Sequence, residues 1–412
     1  MSQRQWKRWD VLKRIRAGVL TVALGAQVLK VSPRHVRRLR VAMEKRGEAA
    51  VVHGNKGRAP ANRMDEATRQ RVVALLREKY AGFNDVHATE KLTEEEGVRL
   101  AASTLRRIRR QAGIAAARKR RPLRHRARRD RKAQAGMMIL WDGSRHAWME
   151  DRGPMLALVG AVDDATGELL PGVHFVEQEC AAAYLKVLLA IAREKGLPGS
   201  IYMDKHGSLR RNDDFWTILE ELRGEQDPTQ VGRAIEALGI APIFAHSPQA
   251  KGRIERPWGT LQDRLVAELR LAGVRTIEEA NAFLDRYRLR YNRRFAKPAA
   301  DARPAWRAVP RGVDLDRVCS FRYEATVLND NTVRLSGHVL DIPAGPGGRG
   351  YAQARVEVRQ LLDGSWRIYK GDDLIATARS TAVGELRAGR RRKRSAASEA
   401  FRRAVAQVEV AP

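Results

Sequence analysis

Met137-Met138-Ile139-Leu140-Trp141-Asp142 and, further on, Ile201-Tyr202-Met203-Asp204 are two short apolar runs that each end on an aspartate. Runs of this length bounded by turn residues read as buried strands. A single aspartate at a strand end is an ordinary turn former. Two of them on adjacent strands, joined by a carboxylate from a nearby helix, make a cluster of hard oxygen donors suited to Mg²⁺ or Mn²⁺. The third member on this reading is Glu255, about two turns into a helix opened by Ser247-Pro248. Serine there can cap free N–H groups, and proline suits the first helical position.

The elements between these residues follow from pattern. Met155 to Val162 is expected as a second strand, Asp163-Asp164-Ala165-Thr166-Gly167 as a turn and Glu168 to Phe175 as a third strand. Ala182 to Lys195 reads as a helix with Tyr184, Leu188 and Ile191 on its apolar stripe. A helix from about Gln230 to Leu238 and a strand Pro242-Ile243-Phe244 come next. The order βββαβαβα is that of the RNase H-like fold. Asp163 and Asp164 compete with Asp142 for the first carboxylate position, but at the far end of the second strand they read as turn residues. Ser208 to Gln230 reads as an inserted segment, and Pro257 is expected to kink the Glu255 helix one turn past the carboxylate. His206 has two readings, orienting a water or phosphate and local hydrogen bonding. Trp141 and Trp148 read as packing residues, with stacking on an unpaired base as the alternative for Trp148.

Outward from this core the charge becomes informative. The chain has 412 residues, a net charge of +30 and a pI near 11.0. Such an excess repels itself and fits a polyanionic partner, nucleic acid before an anionic membrane surface. Cys180 and Cys319 form neither a zinc spacing nor a disulfide framework, and no signal peptide or long apolar segment is visible. A soluble cytoplasmic, nucleoid-associated protein with no membrane partner is expected.

The N-terminal part reads as three short helices. Trp9, Leu12 and Ile15 line the first, Leu20 to Leu29 forms the second, and Ser32-Pro33 starts a third with Val36, Leu39 and Met43 inward. Arg34, His35, Arg37 and Arg38 lie on the other face, as on the recognition helix of a helix-turn-helix. Residues 65–113 repeat the theme: Asn84 and Ser103 are the expected caps, and Arg106, Arg107, Arg109 and Arg110 the outward face. Arg118, Lys119, Arg120 and Arg121 begin a basic run expected to track phosphates. Lys251, Arg253 and Arg256 flank Glu255 and read either as phosphate grips or as general electrostatic attraction. Beyond Cys319, alternating apolar residues with hairpin signals at Asp363-Gly364 and Gly371-Asp372 suggest a small five-strand barrel.

The expected organisation is therefore multi-domain: N-terminal all-α helix-turn-helix units, an α/β RNase H-like core and a small all-β barrel at the C-terminal end. In chain order it is a helix-turn-helix at 1–50, a linker at 51–64, a second helix-turn-helix at 65–115 and a basic linker at 116–135. The core follows at 136–300, then a linker at 301–318, the barrel at 319–380 and a basic tail at 381–412.

Several of these segments resemble a known family. Trp141-Asp142-Gly143-Ser144, Asp163-Asp164-Ala165-Thr166, Asp204-Lys205-His206 and Ser247-Pro248-Gln249-Ala250-Lys251-Gly252-Arg253-Ile254-Glu255-Arg256 are similar to the DDE transposases of bacterial insertion sequences with a retroviral-integrase-like core, in particular the ISNCY type. Thr260-Leu261-Gln262-Asp263-Arg264-Leu265 and Tyr291-Asn292-Arg293-Arg294-Phe295 continue the pattern. The resemblance implies that Asp142, Asp204 and Glu255 are catalytic and hold two Mg²⁺ or Mn²⁺ ions per active site. It implies 3′-end cleavage by water and attack of the freed 3′-OH on target. The partners would be double-stranded DNA, both transposon ends and target, and further copies of the chain in a homo-multimer. The rival readings are a non-catalytic DNA-binding regulator with a decayed core, and a structure-selective nuclease. All three carboxylates being present argues against the first, and two sequence-reading modules argue against the second.

Overall fold

The computed structural model describes residues 2–53, 55, 57, 64–115, 130–211, 216–245 and 254–386. The chain divides into two compact units, Met1–Ala74 and Leu75–Pro412. The first contains α1 (Gln3–Arg16), α2 (Val22–Leu29) and α3 (Pro33–Arg46). Ser2, Thr21 and Ser32 cap these helices by accepting from the N–H groups of Gln5, Leu24 and His35, which satisfies donors that have no intrahelical partner. Trp9, Leu12, Ile15, Val36 and Met43 form the core, with Leu39 at its margin. Gly25 lets α2 lie against α1, since a Cβ there would fall 2.5 Å from Ile15. The division between units falls within α4 (Glu66–Arg77).

The second unit begins with α5 (Asp85–Glu94), capped by Asn84 as expected, and α6 (Ala102–Gln111). Ser103 is not the cap of α6: the helix starts at Ala102 and Ser103 lies inside it. Then come β1 (Ile139–His146), β2 (Leu156–Asp163), β3 (His174–Val176), α7 (Ala181–Glu194), β4 (Ser200–Met203), α8 (Ile218–Arg223), α9 (Gln230–Ala237), β5 (Ala241–Phe244), α10 (Glu255–Leu271) and α11 (Ile277–Phe295). The sheet order is β3-β2-β1-β4-β5; β1 to β3 are antiparallel, while β4 and β5 run parallel to β1. This is the RNase H-like arrangement. α8 occupies the segment read as an insertion.

Three local expectations need correction. β1 does not end on Asp142: residues 142–146 stay in the strand because they pair with residues 156–160 of β2. The third strand is only His174–Val176, because the turn at Pro171-Gly172, with Gly172 at φ +77°, interrupts it. Finally, α10 runs through Pro257 without interruption. Proline there sits in the first turn, where the N–H it lacks would have no intrahelical acceptor.

The sheet has a helical layer on each face. Ile139, Trp141, Val159 and Ala161 pack under α7 and α9, while Met138, Leu140, Leu158 and Val162 pack under α10 and α11. Helix α5 is fastened to α10 and α11 by charged groups. Glu268 receives His87 Nε2 at 2.8 Å, Lys91 Nζ at 2.9 Å and Arg290 at 2.6 Å; Arg264 pairs with Glu90 at 2.7 Å. Burial opposes ionisation of Glu268, but these donors bring its pKa down to about 2.

The segment 301–318, expected as a linker, is bonded to the core along its length. Asp301, Ala305 and Arg307 donate backbone N–H groups to Ala133, Ala135 and Leu197. After α12 (Leu315–Val318) come β6 (Phe321–Thr326), β7 (Thr332–Leu335), β8 (His338–Asp341), β9 (Arg355–Gln360), β10 (Trp366–Lys370) and β11 (Asp373–Ala378). There are six strands rather than five. They form a four-stranded antiparallel sheet, β11-β10-β9-β6, and a two-stranded one, β7-β8, around Val333, Leu340, Val358, Trp366 and Ile368. Among the described residues the two sheets are not joined by strand pairing into a closed barrel. Nor is any helix there long and apolar enough to cross a membrane.

Candidate active site

β1 and β4 pair in parallel, with Ile139 opposite Ile201 and Leu140 opposite Tyr202. Asp142 lies two residues beyond Leu140 within β1, and Asp204 directly follows β4, two residues beyond Tyr202. Side chains alternate across a strand, so Asp142 shares a face of β1 with Leu140 and Ser144. Leu140 and Tyr202 both pack with the α10–α11 layer. Asp142 therefore lies on the face covered by α10.

Two contacts fix where α10 lies on that face. Gln262 donates its amide to Ser144 Oγ at 3.0 Å. A Cβ on Gly160, the residue paired with Asp142, would be 3.3 Å from the Trp258 ring. Glu255 is three residues before Trp258, about 4.5 Å back along the helix axis. It is exposed, at the first position of α10. Residues 246–253, which include Lys251 and Arg253, lie outside the described residues, as do Arg118, Lys119, Arg120 and Arg121. Among the described residues, no three His, Cys, Asp or Glu side chains are close enough to hold one ion. The structure thus puts Asp142 in β1 on the face covered by α10 and Asp204 just past the end of the neighbouring parallel strand, without gathering Glu255 to them.

Asp163 pairs with Ile139, three residues before Asp142 in β1. Its Oδ1 accepts from the N–H and hydroxyl of Thr166, and Oδ2 from the N–H of Gly136 at 2.8 Å. Burial pushes its pKa up. Asp164 accepts from the N–H of Lys132 at 2.8 Å. Both are structural turn residues. Trp148 is fully buried and donates to the Ser144 carbonyl at 3.1 Å, which removes the base-stacking alternative.

Sequence reasoning missed two side chains near the aspartates. Glu179, just before α7, accepts the hydroxyl of Tyr184. Burial raises the pKa of Tyr184 well above its usual value, and the negative charges of Glu179, Asp142 and Asp204 add to the shift. Tyr184 reads only as one of the apolar-stripe residues of α7, and Glu179 as a loop acid in no recognisable spacing.

Comparison with known proteins decides the family. A family described as winged helix-turn helix matches residues 8–70. The chain is 36% identical over 376 residues to the transposase y4bF of Sinorhizobium fredii, spanning 87% of this chain and 79% of that protein. It is 32% identical over 327 residues to the transposase for insertion sequence IS1202 of Streptococcus pneumoniae, spanning 70% and 68%. The chain belongs to this transposase family. Solved structures similar to it include the HTLV-2 integrase catalytic core domain in complex with magnesium, at TM-score 0.27 and 14% identity over 39% of this chain and 89% of that one. A second is the simian T-cell lymphotropic virus intasome in complex with PP2A regulatory subunit B56 gamma, at TM-score 0.31 and 14% identity over 76% and 99%.

The basic residues of the transposase are distributed unevenly. Arg34, Arg37 and Arg38 are exposed on α3, with His35 half-buried beside them. Arg106, Arg107 and Arg110 are exposed on α6, although Arg106 is held to Asp85 at 2.8 Å. Arg109, expected outward, is buried: it pairs with Asp85 at 3.2 Å and donates to the Phe83 carbonyl at 2.9 Å. Arg256 is exposed on the first turn of α10.

Proposed function

We propose that this transposase binds the ends of its element, cleaves them at the 3′ side and transfers the freed ends into target DNA. Asp142, Asp204 and Glu255 are the carboxylates of that site. The observation carrying the reading is the parallel register of β1 and β4, which supports two aspartates side by side on the face covered by the helix that Glu255 begins. Paired carboxylates with a third in reach suit Mg²⁺ or Mn²⁺, two ions to a site, rather than a softer metal. Such ions, when bound, stabilise the charge that builds on the phosphate and its leaving oxygen.

The chemistry is two in-line substitutions at phosphorus. In the first, a water oxygen bonds to the phosphate, the bond to the 3′ oxygen breaks, and that oxygen leaves as a 3′-OH. In the second, the 3′-OH attacks a target phosphate and expels another 3′ oxygen. The protein's part is to hold both DNAs in line and to neutralise charge. Arg34, His35, Arg37 and Arg38 on α3 would read the ends. Arg106, Arg107, Arg110, Arg256, Lys251, Arg253 and the basic run from Arg118 to Arg121 would hold phosphates. Joining two ends requires a homo-multimer on double-stranded DNA.

The test is an assay of the purified chain on oligonucleotides carrying its element's ends, with Mg²⁺ or Mn²⁺. The parent should nick the 3′ side, and Asp142→Asn, Asp204→Asn and Glu255→Gln should each lower the rate at least about 100-fold, the scale on which these charge effects act. Nicking by Asp204→Asn at the parent rate would sink the site. Binding of the ends without nicking by the parent would turn the reading to a DNA-binding regulator.

A further inference from the structure

α10 is fastened along its length to the β1–β2 hairpin, the hairpin that carries Asp142. Near its start, Trp258 lies over Gly160, where a Cβ would be 3.3 Å from the ring. One turn on, Gln262 donates its amide to Ser144 Oγ at 3.0 Å. At the far end, the turn Glu150–Arg152 between β1 and β2 supplies two more anchors. Arg152 donates to the carbonyls of Leu269 and Val274 at 3.0 and 2.7 Å, and Glu150 pairs with Arg270 at 3.0 Å. Trp258, Leu261, Leu265 and Leu269 bury an apolar stripe between these points. Apolar burial holds the helix down but is non-directional. A hydrogen bond weakens steeply with distance and angle, so the polar anchors fix the helix more narrowly.

We infer that Gln262 is a positioning residue for the candidate active site: through Ser144 it sets the place of Glu255 relative to Asp142. This role rests on the carboxylate reading proposed above. Of the three polar anchors, the Gln262–Ser144 bond is the one nearest Glu255. Its two ends sit on the two elements that carry the carboxylates. Ser144, itself buried, is two residues beyond Asp142 on the same face of β1, about 7 Å along the strand. Gln262 is seven residues beyond Glu255, two turns along α10 and within about 20° of the same side. A rotation or slide of α10 that broke the bond would carry Glu255 with it. The Gln262 amide is engaged by Ser144, so it acts through the helix rather than on substrate.

The experiment measures kcat and KM for nicking of element-end oligonucleotides by the full chain in Mg²⁺, and the thermal midpoint without DNA. Gln262→Met keeps the length of the side chain and loses the donor. Its kcat should fall about 10- to 100-fold, the scale on which a misplacement of about 1 Å acts. KM should stay at the parent value. The midpoint should fall by no more than about 2–4 °C, the effect of one hydrogen bond. Ser144→Ala should reproduce the loss, and the double variant should be no worse than either single one. A parent-like kcat in Gln262→Met overturns the inference. So does a raised KM with kcat kept, which would make Gln262 a direct DNA contact. Additive losses in the double variant overturn it too, as does a midpoint lowered by more than about 4 °C in both single variants, which assigns the bond to stability. Glu255→Gln separates the two levels. If it abolishes nicking while Gln262→Met keeps the parent kcat, only the positioning role fails. If Glu255→Gln itself nicks at the parent rate, the carboxylate reading fails.

Discussion

Residues 32–46 and 101–111 look alike in sequence but have different surroundings. Each has a serine near its start, an apolar stripe and a row of arginines. In the first, Ser32 caps α3, and Arg34, Arg37, Arg38 and Arg40 stand in solvent. In the second, Ser103 caps nothing, Arg109 is buried against Asp85, and Arg106 is drawn to the same carboxylate. The neighbouring α5 is fastened to α10 and α11 through Glu268, Glu90 and Arg264. The first helical region belongs to its own compact unit, and α5 and α6 belong to the unit that holds the sheet. A basic helix can therefore be a free surface or a structural part, and the arginine count does not tell which.

Four measurements would test that contrast. The largest effect is expected at Glu268. With its pKa held at about 2 in the folded chain, below the usual carboxylate range, its ionised form adds stability. Sign matters here: a lowered folded pKa gives a contribution present at neutral pH and lost as the pH falls through the carboxylate range toward 2. Glu268→Gln should cost about 3 kcal/mol at pH 7, because it leaves buried cations unpaired. It should also flatten the acid limb of a urea-denaturation series on the second unit. A parent-like acid limb would mean that α5 is not held electrostatically.

Arg109→Ala is expected next, at about 2–4 kcal/mol by chemical denaturation, since it strips a partner from Asp85 and orphans the Phe83 carbonyl. Arg38→Ala, at a similar-looking place on α3, should leave stability within about 0.5 kcal/mol. It should instead weaken binding to element ends and reduce the salt slope by about 1. Equal stability losses from the two arginines would erase the distinction. The smallest pair is Ser32→Ala against Ser103→Ala. Removing the cap should cost about 1 kcal/mol, and the mid-helix serine a few tenths or less, because alanine is the better helix former. Thermal melts of both variants would settle the order.

The mixed sheet was largely legible in the chain. Met137 to Trp141 and Ile201 to Met203 are apolar enough to be buried strands, and the aspartates follow them directly. The extension of β1 to His146 was not legible, because Asp142, Gly143, Ser144 and Arg145 are polar and join the sheet only by pairing with β2. Pro257 misled for a related reason: its effect depends on where the helix begins, and in α10 it falls in the first turn. Glu179 was illegible because a loop acid has no periodicity. Its place is set by Gly143 and Tyr184, separated from it or from each other by other elements.

The amino-acid pattern alone determined what each segment could become: buried strands where apolar runs are short, capped helices at Ser32 and Asn84, and a strongly basic chain suited to a polyanion. Those properties are local, arising from side-chain polarity, backbone preference and net charge. Tertiary structure decided which of several similar groups are used. It laid the strand that carries Asp142 beside the strand that leads into Asp204, took Asp163 and Asp164 for the turn, buried Arg109 while Arg38 stayed exposed, and brought Glu179 against Gly143. These outcomes depend on distances between residues far apart in the chain, and burial, charge pairing and strand register acquire their energies only at those distances.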